Sequence, residues 1–255
     1  MVRLLLESTN AVDGLTREGL KARASIECNR GRVCHRLRKW GRPIVRCNGG
    51  AHAPSLIMVK RLFDIFFSLG WLIFFSPLLA GVAILVRLKL GSPILFLQER
   101  PGRHGKPFKV VKFRTMTDGV DATGKPLPDE VRLTAFGQFI RSTTLDEFPQ
   151  MWNVLLGDMS VVGPRPLLMR YLPRYNPFQA QRMLMKPGVT GWAQVNGRNA
   201  LTWDEKFALD VWYVQNQSLW LDLRIVVKTF FVVFGRRNVN SASALTMEEF
   251  MGNGK

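Results

Sequence analysis

The sequence predicts an α+β fold. It describes a mainly helical, compact cytoplasmic domain with a small β element, anchored by an N-terminal re-entrant membrane helix and by interfacial amphipathic helices. Three observations carry this. Residues 65–86 form a run of 22 positions without a charge, rich in Phe, Leu and Ile. After Gly91, short strand-like runs and helix-period stripes alternate, punctuated by glycine and proline. The formal net charge is +17 on 255 residues, the balance of a protein that meets anions.

The first 57 residues hold eleven Lys and Arg against four Asp and Glu, all three cysteines, and little periodicity. They read as a basic, disordered N-terminal extension, and +10 of the net charge stays on the remainder. Cys28, Cys34, His35 and Cys47 lack a Cys-x-x-Cys pair and are irregularly spaced, so no zinc site is expected. Free thiols suit a reducing cytoplasm. Met58-Val59-Lys60-Arg61 has the look of a natural start.

Residues 58–90 are predicted to be a re-entrant membrane helix. A straight helix over the uncharged run would extend roughly 33 Å, enough for a hydrocarbon core of about 30 Å. Ser76-Pro77 breaks it at the midpoint, because proline removes a backbone hydrogen bond and bends the helix. Each arm is then roughly 16 Å, half of what a span needs. Lys60 and Arg61 precede the run and Arg87 and Lys89 follow it, which suits both ends lying on the cytoplasmic side. The Ser76 hydroxyl is the expected partner for backbone groups freed at the bend.

Residues 91–218 are predicted to be the catalytic domain. Residues 94–97 and 108–113 have strand character and flank a turn at 101–105; a polar loop covers 120–128, and a short helix 133–140 leads to Arg141. The carboxylate pair Asp146-Glu147 follows. Behind it, Phe148, Met151, Trp152 and Leu155 make one apolar stripe, stopped by Gly157. Pro149 is tolerated only in a first turn, so this helix is expected to begin near 145–147, with both carboxylates at the positive end of its dipole. The same pattern fits plain capping, with Asp146 as N-cap or a Thr144–Glu147 capping box.

Residues 158–166 form a loop that presents Arg165 between two prolines. That loop suits fixing a phosphate bidentately, and equally a rigid turn in which Pro166 opens the next helix. Residues 186–198 form a glycine-punctuated loop that is neither a Walker loop nor a dinucleotide fingerprint; Gln194 and Arg198 could touch a base, ribose or phosphate. Residues 219–237 suit an interfacial amphipathic helix, and Asp222, Arg224 and Lys228 argue against a second span. Residues 238–255 are read as a tail.

From Lys60 to about Phe234 the chain resembles the bacterial sugar transferases, the monotopic polyprenyl-phosphate phosphoglycosyl transferases. The matching pieces are residues 60–64, Ser76-Pro77, 98–102, 112–116, 145–150, 157–160, 163–166 and 186–191, in order. Asn199-Ala200-Leu201 and residues 203–207 resemble the short, single-domain branch that handles N-acetylated sugars. The resemblance implies that Asp146 is a nucleophile toward the β-phosphorus of a UDP-sugar, with Glu147 as its partner. UMP would leave, and polyprenyl phosphate, in the form of undecaprenyl phosphate, would take the sugar phosphate. It also implies Mg²⁺, faced by Asp146, Glu147 or both, and phosphate-binding roles for Lys112, Arg114, Arg141 and Arg165.

The implied partners are the UDP-sugar, the polyprenyl phosphate and membrane lipid at the bacterial inner membrane, with homo-oligomerisation left open and no nucleic acid. The rival from another class is a membrane-anchored basic module that binds anionic lipid or nucleic acid without catalysis. A rim of arginines around one carboxylate pair does not suit a phosphate-tracking groove.

Overall fold

The computed structural model describes residues 26–28, 32–34, 54–197, 200–234 and 249–252. The chain divides into two units, residues 1–53 and 54–255. In the first, β1 (Ile26–Cys28) pairs antiparallel with β2 (Arg32–Cys34), a hairpin the aperiodic sequence does not signal. Expectations about the rest of that unit, including its disorder, His35 and Cys47, lie outside the described residues.

The second unit opens with α1 (Pro54–Phe74), four residues earlier than the sequence suggests, and α2 (Ser76–Leu90). The two are bent by 63° at Phe75, and the Ser76 hydroxyl donates to the Ile73 carbonyl at 2.8 Å, as expected at such a break. Among the described residues no single helix is long and apolar enough to cross a membrane; this bent pair meets the length and composition test only together.

Helix α1 buries a polar row, and beside it packs Phe63, Phe67, Trp71 and Leu72 half-buried against the main core. Its buried residues are Lys60, Asp64 and Ser68, spaced four apart on one face, while Leu62, Phe66, Leu69, Ile73 and Phe74 face outward, Phe66 and Phe74 being 70% and 76% exposed. Lys60 therefore does not serve as a free flanking cation. Its ammonium lies 2.7 Å from the Asp222 carboxylate, and Arg61 donates to the Val154 and Leu155 carbonyls at the end of a later helix. Both corrections have one cause: the start of α1 is packed into the domain instead of leading into it.

The β element forms as the sequence predicts, but longer. β3 (Leu95–Pro101) and β4 (Pro107–Phe113) make an antiparallel hairpin in register from Leu95–Phe113 to Pro101–Pro107. After the polar loop come α3 (Asp129–Arg132) and α4 (Ala135–Ser142), the latter capped by the Thr134 hydroxyl, which accepts from the Gly137 amide. α2 rests on this corner through Val82, Val86 and Leu90, against Phe113 and Ile140.

Helix α5 (Gln150–Leu156) starts later than expected. The carboxylate pair lies in a separate 3-10 turn, Leu145–Glu147, because Thr144 before it adopts a left-handed conformation (φ 62°) that no continuous helix allows. Trp152 points outward. The buried face of α5 carries Gln150, Met151, Asn153 and Val154. Asn153 is the polar bolt: its amide donates to the Lys109 carbonyl at 2.8 Å and its oxygen accepts from the Val111 amide at 2.9 Å, which locks α5 to the edge of β4. Gly157 ends the helix in a left-handed conformation, as its position predicts.

β5 (Ser160–Val162) then pairs in parallel with β6 (Gly188–Thr190). Between them lie an extended segment, a 3-10 turn at Met169–Arg174 and α6 (Pro177–Ala180). Pro166 thus does not open a helix. Short α7 (Trp192–Val195), α8 (Trp203–Asn216) and α9 (Leu219–Phe234) complete the unit. α9 has two faces. Leu221, Asp222, Ile225 and Val226 are buried in the main core, while Trp220, Leu223, Val227, Phe230 and Phe231 are exposed. From the expected tail, Phe250 is buried against Tyr171 and Phe207, and Glu249 pairs with Arg170 and Arg174.

Candidate active site

The site gathers at the mouth of the β3–β4 hairpin, where the 3-10 turn of Asp146-Glu147 meets β4 and the segment after β5. Asn153 fixes the register between α5 and β4, and this brings Lys112 to Glu147 at 2.8 Å. From the other side Arg165 reaches the same carboxylate with its fork, at 2.6 Å to Oε1 and 3.2 Å to Oε2. Glu147 caps no helix. Its two oxygens are committed to two cations, and although burial pushes its carboxyl up, Arg165 and Lys112 hold it well below the usual carboxylate range.

Asp146 is the opposite case. It is 9% exposed, and no hydrogen bond or ion pair reaches its carboxylate among the described residues. Burial and then the neighbouring Glu147 charge push its pKa up to about 6, against the pull of Lys112, Arg141 and Arg165. A carboxylate in that state is ionised at neutral pH yet poorly solvated, the condition of a reactive nucleophile. Thr144, a β-branched residue at positive φ directly before the turn, stores backbone strain of about 1–3 kcal/mol at the same place.

The turn stands over the bend of the helix pair. Phe148, the residue after Glu147, packs edge-on against Trp71 (5.1 Å between ring centroids) and against the break residue Phe75 (5.3 Å). The carboxylate pair is thereby joined by two aromatic contacts to the bend of the helix pair, beside which Phe66, Ile73 and Phe74 are exposed.

Not every candidate converges here. Arg141 is exposed, donates to the Thr115 hydroxyl at 2.9 Å, and acts on Asp146 through its charge. Arg114 is turned away: its three nitrogens serve the Met116 carbonyl, the Ser92 carbonyl and the Asp118 carboxylate, so it staples the chain around β4. Gln194 donates to the Val189 carbonyl and makes no described contact with the carboxylate pair. Arg198 lies outside the described residues.

One cation was missed by the sequence reading. Arg100, on β3, feels both Arg165 and Glu147; it donates to the Gln98 side chain, and burial followed by Arg165 lowers its pKa to about 10. Its signal in the sequence was its place inside the matching stretch 98–102.

Among the described residues no three or more His, Cys, Asp or Glu side chains cluster as a metal site. The open carboxylate of Asp146 still fits Mg²⁺, which is commonly held by one or two carboxylates together with substrate phosphates. Glu147, with both oxygens taken by cations, fits it less well.

The comparisons with known proteins give the family. Residues 55–236 match the bacterial sugar transferase family. EpsL of Bacillus subtilis, an uncharacterized sugar transferase, is 52% identical over 198 residues, covering 78% of this chain and 98% of that protein. The undecaprenyl-phosphate galactose phosphotransferase of Salmonella typhimurium is 41% identical over 210 residues, covering 76% of this chain and 44% of the relative. The UDP-N-acetylgalactosamine-undecaprenyl-phosphate N-acetylgalactosaminephosphotransferase of Aeromonas hydrophila is 37% identical over 196 residues, covering 72% and 46%. The chain thus spans nearly all of the first relative and less than half of the other two. With more than half of its length matched to the family and such relatives on either side, the chain belongs to the bacterial sugar transferases.

Proposed function

We propose that the protein transfers a sugar 1-phosphate from a UDP-sugar to a polyprenyl phosphate, undecaprenyl phosphate in its relatives' names, through a covalent phosphosugar on Asp146. The observation that carries this is the division of labour in the pair: among the described residues Asp146 is buried and without a hydrogen-bond or ion-pair partner, while Glu147 beside it is fully paired.

In the first step an Asp146 oxygen forms a bond to the β-phosphorus, the bridging P–O bond breaks, and UMP leaves with the electron pair. In the second an oxygen of polyprenyl phosphate attacks the acyl phosphate, the Asp146–P bond breaks, and the carboxylate is regenerated. Splitting one difficult displacement into two is the benefit of a covalent nucleophile. A carboxylate approaching a diphosphate is anion meeting anion, so Lys112, Arg165 and Arg141 supply positive charge around the reacting atoms. Mg²⁺, when bound on Asp146 and the substrate phosphates, would neutralise developing charge on the leaving group.

The acceptor explains the exposed apolar face of α1. An exposed apolar surface, with Phe66 and Phe74 on α1 and Leu78, Ile84, Leu85 and Leu88 on α2, is a liability in water and ordinary in lipid. A site over the bend meets a phosphate at headgroup depth while its chain stays in the bilayer, sparing an extraction cost of about 0.8 kcal/mol per CH₂. We therefore favour a re-entrant arrangement at the bacterial inner membrane, with the catalytic part on the cytoplasmic face. Likeness at residues 199–207 favours an N-acetylated sugar.

UMP release from a panel of UDP-sugars, with polyprenyl phosphate present, tests the reaction and identifies the sugar together. No UMP from any donor would overturn the assignment. For topology, single cysteines introduced at Ile57 and Ser92 in a chain lacking Cys28, Cys34 and Cys47 should label from one side of the membrane. Labelling from opposite sides rules out re-entry.

A further inference from the structure

Two buried ion pairs outside the reacting site grip the segment that carries Arg165. Behind it, the Arg182 guanidinium donates to the Arg165 carbonyl at 2.6 Å, and to Asp210 Oδ2 at 2.7 and 3.1 Å. A third direction reaches the Tyr175 hydroxyl at 3.2 Å, and the rings of Phe207 and Tyr175 flank the guanidinium at 5.6 and 5.9 Å. At the segment's start the Lys60 ammonium donates to the Val162 carbonyl at 3.2 Å while paired to Asp222, and the Tyr213 hydroxyl bridges the same carbonyl and the same carboxylate. Between the two, the Pro164 carbonyl accepts from the Gly188 amide. The carbonyls of residues 162, 164 and 165 are therefore all tied down, and the Arg165 side chain alone projects toward Glu147.

Buried ion pairs are weak sources of stability, because desolvation offsets most of their attraction and an apolar pair of similar volume often does as well. What an arginine adds is a rigid fork, able to hold a carboxylate and a carbonyl in one plane, which lysine cannot do. We propose that Arg182, oriented by Asp210, is a positioning residue for Arg165, and that the Lys60–Asp222 pair holds the other end of the same segment. Arg182 has no described contact with the carboxylate pair; it acts by fixing the point from which Arg165 reaches Glu147. The inference rests on the reading of Asp146-Glu147 as the reacting pair.

The test is a double-mutant cycle on full-length protein in detergent. Arg182→Met and Arg182→Lys are measured alone and combined with Arg165→Ala, by UMP release and by amide hydrogen exchange. We expect Arg182→Met to lower kcat roughly 100-fold, the scale of an ångström's misplacement. Arg182→Lys should recover about a tenth of the wild-type rate, since one donor replaces a fork. In the Arg165→Ala background, Arg182→Met should change kcat less than about twofold, because coupled residues are not additive. Exchange should quicken at Gly163, whose amide donates to the Thr190 carbonyl, and at the other non-proline amides through Leu168, while α8 keeps its protection.

Equal losses in both backgrounds, a wild-type rate for Arg182→Met, or loss of protection throughout α8 would each overturn the proposal, the last by showing a merely structural prop. A wild-type chain that released no UMP would sink the reacting-pair reading instead. In that case the exchange contrast at 163–168 still decides whether Arg182 fixes the segment.

Discussion

Two clusters of buried charge, one packed on β5 and one at the turn before α5, are built on contrary plans. Around Asp222, which is wholly buried, each carboxylate oxygen has a donor: Lys60 and Gln217 on Oδ2, Tyr213 on Oδ1. Around Asp146-Glu147 the same ingredients are left incomplete, with Glu147 saturated by Lys112 and Arg165 and Asp146 given no partner. Burying a charge is costly unless it is paired, and the first cluster obeys that rule in full. The second breaks it at one residue, beside a strained Thr144. Incomplete pairing, more than charge or burial as such, separates the proposed reacting site from the structural cluster.

The largest expected effect breaks the open cluster at its unpaired member. Asp146→Asn should lower UMP release by about 10³-fold or more, as expected when a covalent nucleophile is lost. The same change should stabilise the fold. Asp146 has its folded pKa raised from 3.8 to about 6, so the folded state binds the extra proton between these values and its stability falls as pH rises through that window. Above it the ionised carboxylate costs about 2–3 kcal/mol, which the amide would not incur. Thermal unfolding at pH 7.5 should therefore show a higher midpoint for the inactive variant, and an equal or lower one would contradict the idea of an unpaired carboxylate.

Breaking the closed cluster should do the reverse. Asp222→Ala leaves Lys60 buried without its anion and should cost about 3–5 kcal/mol of stability. The double change Lys60→Met with Asp222→Leu should recover much of it, read by denaturant or thermal unfolding. Recovery of stability without recovery of rate would sharpen the contrast, since the pair also holds the start of the Arg165 segment.

A smaller effect separates the two carboxylates of the site. Glu147→Gln removes the anion that helps raise Asp146 and leaves Lys112, Arg141 and Arg165 to act on it, so the acidic limb of the rate profile should move below about pH 6. The residual rate should be roughly 10²-fold down. An acidic limb that stayed in place would mean that Glu147 does not set the charge of its neighbour. In the wild type, the rate should fall about tenfold per unit as pH drops below about 6, because only ionised Asp146 can attack.

Features written in local chemistry were legible in the sequence. The turn between β3 and β4, the stop at Gly157 and the break at Ser76 each follow from the conformational limits of one or two residues. Features made by distant residues were not. Lys60 meets Asp222 across 162 positions, so the sequence offered Lys60 only as a flanking cation and Asp222 only as a charge that argues against a second span. Arg114 and Arg165 look alike as arginines near phosphate-binding stretches, yet one staples a turn and the other reaches Glu147. Thr144 hid its left-handed backbone because threonine seldom adopts one, and the expected helix start was misplaced by that residue. The carboxylate pair itself was legible; which of the two is saturated depended on contacts from β4 and from the segment after β5.

The meeting of Gly163 and Gly188 has a consequence for how such chains vary. A methyl group built on Gly188 would fall 2.0 Å from the Gly163 nitrogen, and one built on Gly163 would fall 2.5 Å from the Lys186 carbonyl oxygen. Neither obstacle is a side chain that can swing aside. No exchange of residues between the two positions relieves the crowding, so the pair offers substitution no stepwise route. Diversification of the sugar or of the acceptor must therefore proceed around this crossing, through the loops and side chains on either side of it.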